Sequence, residues 1–143
     1  MNRQPHILVI VLVQGAFQLP LIYIKLAQAL EVLGYHIPHP TIPSLTGQDD
    51  PDLATNSLAD YADTIRGVLE HLTKKMGKTV VVLMHSYGGS VGTEAVPRSL
   101  SRLHRKVQGL PRGVAHLIYV AGFITPQGQI HSRAHLTSYQ TTM

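Results

Sequence analysis

Residues 79–89 read TVVVLMHSYGG, and this stretch decides the fold. From Thr79 to Met84 the side chains are β-branched or apolar throughout, as in a strand covered on both faces. Ser86 then stands between the strand and the glycines Gly88 and Gly89, where a helical pattern opens and runs to about Val96. A sharp Ser-x-Gly turn in that context lifts the serine hydroxyl off the strand end. Glycine at position 88 lets the helix come close, and the helix N-terminus brings free N–H groups and a field that favours negative charge. Such a setting suits an activated nucleophile; an ordinary strand-to-helix turn capped by Ser86 is the plainer alternative.

The flanking sequence repeats the alternation. Residues 7–13 (ILVIVLV) are a second continuous apolar run and end at Gln14-Gly15. Pro20 can occupy a first helical turn, and residues 21–33 read as a helix closed by Gly34, with Leu26, Leu30 and Leu33 on one face. A weaker extended segment over 35–42 is interrupted by Pro38 and Pro40, which favours a place toward a sheet edge. After a loop over 43–56, Ser57 and Asp60 have capping-box spacing. Leu58, Tyr61, Ile65, Val68, Leu69, Leu72 and Met76 then form one apolar stripe ending at Gly77. Pro97 should break the helix after the serine turn and leave a second piece reaching about Lys106. Residues 114–123 (VAHLIYVAGF) are the last strand.

The order β-α-β-α-β-α-β predicts an α/β fold: a parallel, doubly wound sheet of about four strands with flanking helices. Ligands in such sheets sit beyond the strand C-termini, where neighbouring connections leave for opposite faces. Two turns qualify. Acyl-transfer chemistry needs two backbone N–H donors aimed at a developing oxyanion. Tyr87, directly after the serine, can supply one. Ala16, following a glycine free to take unusual dihedrals, can supply the other if the two strands are neighbours.

These motifs resemble the α/β-hydrolase superfamily, in particular its small fungal and plant branch of esterase-like and hydroxynitrile-lyase-like enzymes. The resemblance runs from about His6 to Ile130 and rests on ILVIVLVQGAF, Gly34-Tyr35, Ile42-Pro43-Ser44, MHSYGG and VAHLIYVAGFITPQGQ. It implies Ser86 as nucleophile, Ala16 and Tyr87 as oxyanion-hole residues, and Gly15, Gly88 and Gly89 as the glycines that shape the two turns. It also implies the spatial strand order second, first, third, fourth, which sets Gly15 beside Ser86. Three positions depart from the family pattern: Gln14 where histidine is common, Phe17 where tryptophan is common, and Met84 where a small residue is usual. The triad acid and histidine of the family follow later strands, and no residue here matches either. The resemblance therefore implies a single domain over 1–143 that is the front part of the family fold, cut after the fourth strand, with 124–143 as a tail where the cap region begins.

The nine histidines offer no ready substitute for the missing base. His85 adjoins Ser86 and reads as a packed strand-end residue, its side chain leaving the turn in another direction. His131 and His135 have i,i+4 spacing but no third ligand, so no metal site is expected, and no cofactor. His36, His39, His104 and His116 have no chemical partner that the sequence names.

Composition sets the outer limits. At 143 residues, 44% hydrophobic and 14% charged, the chain can bury a core. Its longest apolar run is too short to cross a bilayer, so no membrane association is expected. The absence of cysteine excludes disulfides, thiolate metal sites and cysteine nucleophiles. Arg3 followed by an apolar stretch imitates a secretory signal, but the β-branched residues fit a buried strand better, so the expected location is cytoplasmic. The net charge is +4, and every acidic residue lies at or before Glu94, ahead of Arg98, Arg102, Arg105, Lys106, Arg112 and Arg133. Without interleaved aromatics this block reads as a solvated helix face and its exit loop, and no nucleic-acid partner is expected.

Two functional expectations follow. The first is a serine hydrolase acting on a small apolar carboxylic ester, lactone or thioester, in the setting of fungal polyketide metabolism that the resemblance suggests. The second is a truncated, non-catalytic relative that binds a ligand or partner. Its last strand would leave an edge open to a second copy or to a separately supplied C-terminal half.

Overall fold

A computed structural model describes residues 8–42 and 55–128. Its sheet has three parallel strands, β1 (Leu8–Val13), β2 (Thr79–His85) and β3 (Gly113–Val120), in the order β1-β2-β3. β1 and β2 pair from Leu8↔Thr79 to Val13↔Met84, so their C-terminal ends lie level. The β2–β3 ladder slips once, between Val80 and Val81, before running on to His85↔Val120.

The expected second strand is present as pairing without a full ladder. Segment 35–42 lies outside β1, giving the His36 carbonyl to Ile10 N–H at 3.0 Å and the Pro38 carbonyl to Leu12 N–H at 2.9 Å. Proline has no N–H to return, so Pro38 and Pro40 reduce the expected second strand to a bridge at Val9↔His36. The sheet thus has three regular strands rather than four, with the edge segment in the spatial place expected for it. The last strand also stops earlier than expected. Ala121 takes a φ of 43° and turns the chain away.

Helices lie on both faces. α2 (Leu58–Glu70) and α3 (Gly88–Ala95) cover one, where Tyr61, Ile65, Leu69 and Val91 pack on Val9, Val11, Val13, Val80, Val82 and Met84. α2 opens on the expected capping box: the Ser57 hydroxyl accepts from Asp60 N–H, and the Asp60 carboxylate accepts from Ser57 N–H at 2.7 Å. These bonds hold the Asp60 carboxyl below its ordinary range, though it is fully exposed. Ser57→Ala should cost about 1 kcal/mol in urea denaturation. Beyond Glu70 the helix widens into a π turn, His71–Lys75, and Gly77 at φ 60° ends it. That widening carries Met76 off the apolar stripe, leaving it 51% exposed.

The opposite face carries a short 3₁₀ turn, Pro20–Tyr23, leading into α1 (Ile24–Val32). Here the expected face is only partly the buried one, Leu30 alone of its three leucines packing inward. Tyr23, Ala27 and Leu30 meet Ile10, Leu12, Ile37 and Leu83, whereas Leu33 is 72% exposed and Leu26 also faces outward. α4 (Arg102–Val107) borders β3, and Arg98, Arg102 and Lys106 are solvated as expected. Arg105 is the exception. It is buried and donates to the Arg112 and Pro111 carbonyls at 3.0 and 3.3 Å, pinning the turn into β3. No described helix is long and apolar enough to cross a membrane.

Candidate active site

The C-terminal ends of β1 and β2 bring the two expected turns together. Ser86 sits at φ 53°, in the left-handed region that side-chain-bearing residues rarely occupy. This is the backbone signature of a sharp strand-to-helix elbow. A Cβ placed on Gly15 would lie 3.1 Å from Ser86 Cβ, so the first turn passes directly beside the serine. The N–H groups of Ala16 and Tyr87 make no hydrogen bond among the described residues. Tyr87 lays its ring against the main core, and burial pushes its phenol above the ordinary range.

The glycines of the elbow are spacers. A Cβ on Gly88 would meet the Gln14 and Val13 carbonyl oxygens, both at 2.5 Å, and one on Gly89 would meet the Phe123 oxygen at 2.4 Å. The first contact seats α3 against the end of β1. The second seats it against the chain leaving β3. Phe123 N–H also donates to the Ser86 carbonyl at 3.1 Å, and Gly89 N–H donates to the same oxygen at 3.0 Å. The elbow is therefore braced by the chain that follows β3, which sequence reasoning did not foresee.

Sequence reasoning also missed Gln18, Tyr23 and the role of His85. Gly15 N–H donates to Tyr23 Oη at 2.9 Å, and His85 Nδ1 lies 2.9 Å from the same oxygen and 3.1 Å from Gln18 Oε1. The Tyr23 hydroxyl donates to Gln18 Oε1. Gln14, fully buried where the family commonly has histidine, donates from Nε2 to the Gln18 carbonyl at 2.9 Å. The available signal was a tyrosine and a glutamine standing in the otherwise apolar run after the first turn.

His39 packs edge-on against Tyr23, with ring centroids 5.3 Å apart, and its buried Nε2 has no hydrogen-bond partner among the described residues. Burial lowers its pKa from the ordinary 6.5. The unfolded chain therefore takes up the proton first as pH falls, so stability present above 6.5 should be lost progressively below it. Urea titrations across that range should show the loss, and His39→Phe should flatten it.

No group of three potential metal ligands occurs among the described residues. His131 and His135 lie outside them, as do Pro43 and Ser44 of the family-like loop. An open apolar concavity of about 510 Å³ lies along Leu19, Pro20, Leu21, Ile24, Ala27 and His39 on the α1 face, and Ser86 does not line it.

A parallel sheet, a strained serine elbow and a glycine turn beside it define the class, and comparison with known sequences agrees. The sequence model of the alpha/beta hydrolase family matches residues 10–141, and the chain belongs to that family. A relative named "Probable hydrolase R7", from Phoma sp., is 31% identical over 125 residues, covering 87% of this chain and 46% of its own. A crystal structure of PytH superposes with a TM-score of 0.58 at 24% identity, over 82% of this chain and 42% of that one, a likeness of fold. The chain thus spans a little under half the length of the proteins it matches.

Proposed function

We propose that this chain carries the nucleophile of a serine hydrolase that cleaves a small apolar carboxylic ester, lactone or thioester. Ser86 Oγ attacks the carbonyl carbon, and the Ala16 and Tyr87 N–H groups receive the negative charge that develops on its oxygen. The observation that carries the reading is Ser86 at φ 53° with Gly15 against it, because that posture is costly and serves to present a hydroxyl. Family membership and the relative named a probable hydrolase support the reaction class. We extend the reading to polyketide-type substrates and a cytoplasmic setting.

A serine hydroxyl needs a base to accept its proton. Among the described residues no imidazole bonds Ser86, so that base is to be sought elsewhere in the assembled enzyme. Loss of the base alone costs about 10⁶-fold in turnover in well-studied serine hydrolases. Reaction of the assembled enzyme, with its base in place, with a fluorophosphonate probe, followed by peptide mass spectrometry, tests the reading. Modification at Ser86 is expected, and a folded sample left unmodified there would remove the activated serine.

A second reading, a partner-binding protein, draws on the far face of β3. Ile118 is 46% and Val120 48% exposed, on a kind of sheet that normally has both faces covered. A second copy or a C-terminal half of the same fold would cover them. Light scattering should then show concentration-dependent association that Ile118→Lys weakens; a monomer at all concentrations would count against the second copy.

A further inference from the structure

We propose that Tyr23, Gln18 and His85 form a half-buried positioning device that fixes the turn at Gly15 and thereby aims the Ala16 N–H at the Ser86 site. The proposal rests on the serine-hydrolase reading and deepens it by naming what holds the site's second donor in place.

The geometry is closed on itself. Tyr23 is 6% exposed, and its Oη lies at the centre of three contacts: Gly15 N at 2.9 Å, His85 Nδ1 at 2.9 Å and Gln18 Oε1. Proton counting assigns the roles. The phenol has one proton and gives it to Gln18 Oε1, which can only accept. One Oη lone pair takes the Gly15 N–H. The other is satisfied only if His85 donates, so the imidazole carries its proton on Nδ1, with Gln18 Oε1 at 3.1 Å as a shared acceptor.

This arrangement ties the residue before the nucleophile to the residue before the Ala16 donor. Gln14 Nε2, bonded to the Gln18 carbonyl, closes the same loop from its other end. The turn is thus gripped from the α3 side by the close approach of Gly88 and from the α1 side by Tyr23. A donor serves an oxyanion only while its backbone is held, since displacements near 1 Å can cost about a hundredfold in rate. In this device the three side chains act through Gly15.

The test compares the assembled enzyme, with its base in place, with its Tyr23→Phe variant, which keeps the buried ring, and with its His85→Asn and His85→Leu variants. An asparagine amide nitrogen can stand near the place of Nδ1, whereas leucine offers no donor. Two readouts are taken: amide exchange at Gly15 by NMR, and the kinact and KI of fluorophosphonate reaction at Ser86. The expected result is faster Gly15 exchange in Tyr23→Phe and His85→Leu, with kinact lowered roughly tenfold or more and KI little changed. His85→Asn should recover most of both, and ¹⁵N shifts of the His85 ring should report Nδ1 as protonated. Unchanged Gly15 exchange in Tyr23→Phe, or a His85 ring protonated on Nε2 alone, would overturn the device. So would a kinact that Tyr23→Phe leaves intact. Failure of the wild-type assembled enzyme to react at Ser86 would instead sink the hydrolase reading, and Gly15 exchange with the ring tautomer would then decide the device alone.

Discussion

Ser86→Gly should melt higher than the parent chain and react with no serine probe at all. Ser86 holds a φ of 53° that costs a side-chain-bearing residue roughly 1–2 kcal/mol. Its hydroxyl has no hydrogen-bond partner among the described residues to offset that cost. Glycine removes the strain and gives back about 0.4–1 kcal/mol through the greater freedom of the unfolded chain. The net gain is roughly 0.5–1 kcal/mol, or about 2 °C in a chain of this size. Ser86→Ala is the control: it too loses the nucleophile but keeps the strained backbone, so it should melt near the parent. Thermal denaturation of the three proteins decides it, and a glycine variant no more stable than the alanine one would remove the strain argument. The paired outcome, inactivity with added stability, separates a residue kept for chemistry from one kept for folding.

Gly88→Ala should do the reverse, losing fold and site together. Its new methyl would stand 2.5 Å from two backbone oxygens, Gln14 and Val13, at the end of β1. A flexible side chain could swing aside, but these carbonyls belong to a paired strand end and its turn. Relief requires α3 or the turn to move, at a cost of about 3 kcal/mol or more, which lowers the melting temperature by roughly 6–12 °C. Any surviving folded protein should react at Ser86 about a hundredfold more slowly, because the displaced turn carries the Ala16 donor. Gly67→Ala in α2 provides the contrast. Nothing lies within 4 Å of its would-be methyl, so it should stabilise by up to about 1 kcal/mol. Equal stability of the two variants in urea titration would show that the close approach at Gly88 is not needed.

Much of this fold was legible from the pattern of residues. The strands and the Ser57 cap announce themselves locally, through β-branched runs and fixed spacing, and the structure places them there. Ser86, Gly15 and the flanking glycines were legible as a candidate site for the same reason, since each turn directly follows a strand. Features set by a neighbour's position were not. Periodicity assigns α1 a stripe of Leu26, Leu30 and Leu33, yet only Leu30 of these faces the sheet, beside Tyr23 and Ala27, where the 3₁₀ turn before α1 sets the helix's rotation. The residues 35–42 read as a strand by composition, but the missing proline N–H groups decide how much of a ladder can form. His85 read as ordinary packing because its partners, Gln18 and Tyr23, are more than sixty positions away. Arg105 read as solvated because no spacing rule announces a buried guanidinium bonded to loop carbonyls.

The bond from Phe123 N–H to the Ser86 carbonyl also bears on the order of folding. β1 finds β2 across about 70 residues, a pairing that loop-closure entropy makes slow. The elbow is then clamped only once the chain beyond β3 has docked, so its strained backbone is among the last parts to lock. Relieving that strain should therefore leave the refolding rate nearly unchanged and slow unfolding instead, giving Ser86→Gly a φ-value near zero. The brace acts as a kinetic latch: the chain can assemble its sheet with a relaxed turn at Ser86, and the strained posture is imposed on a sheet that already exists.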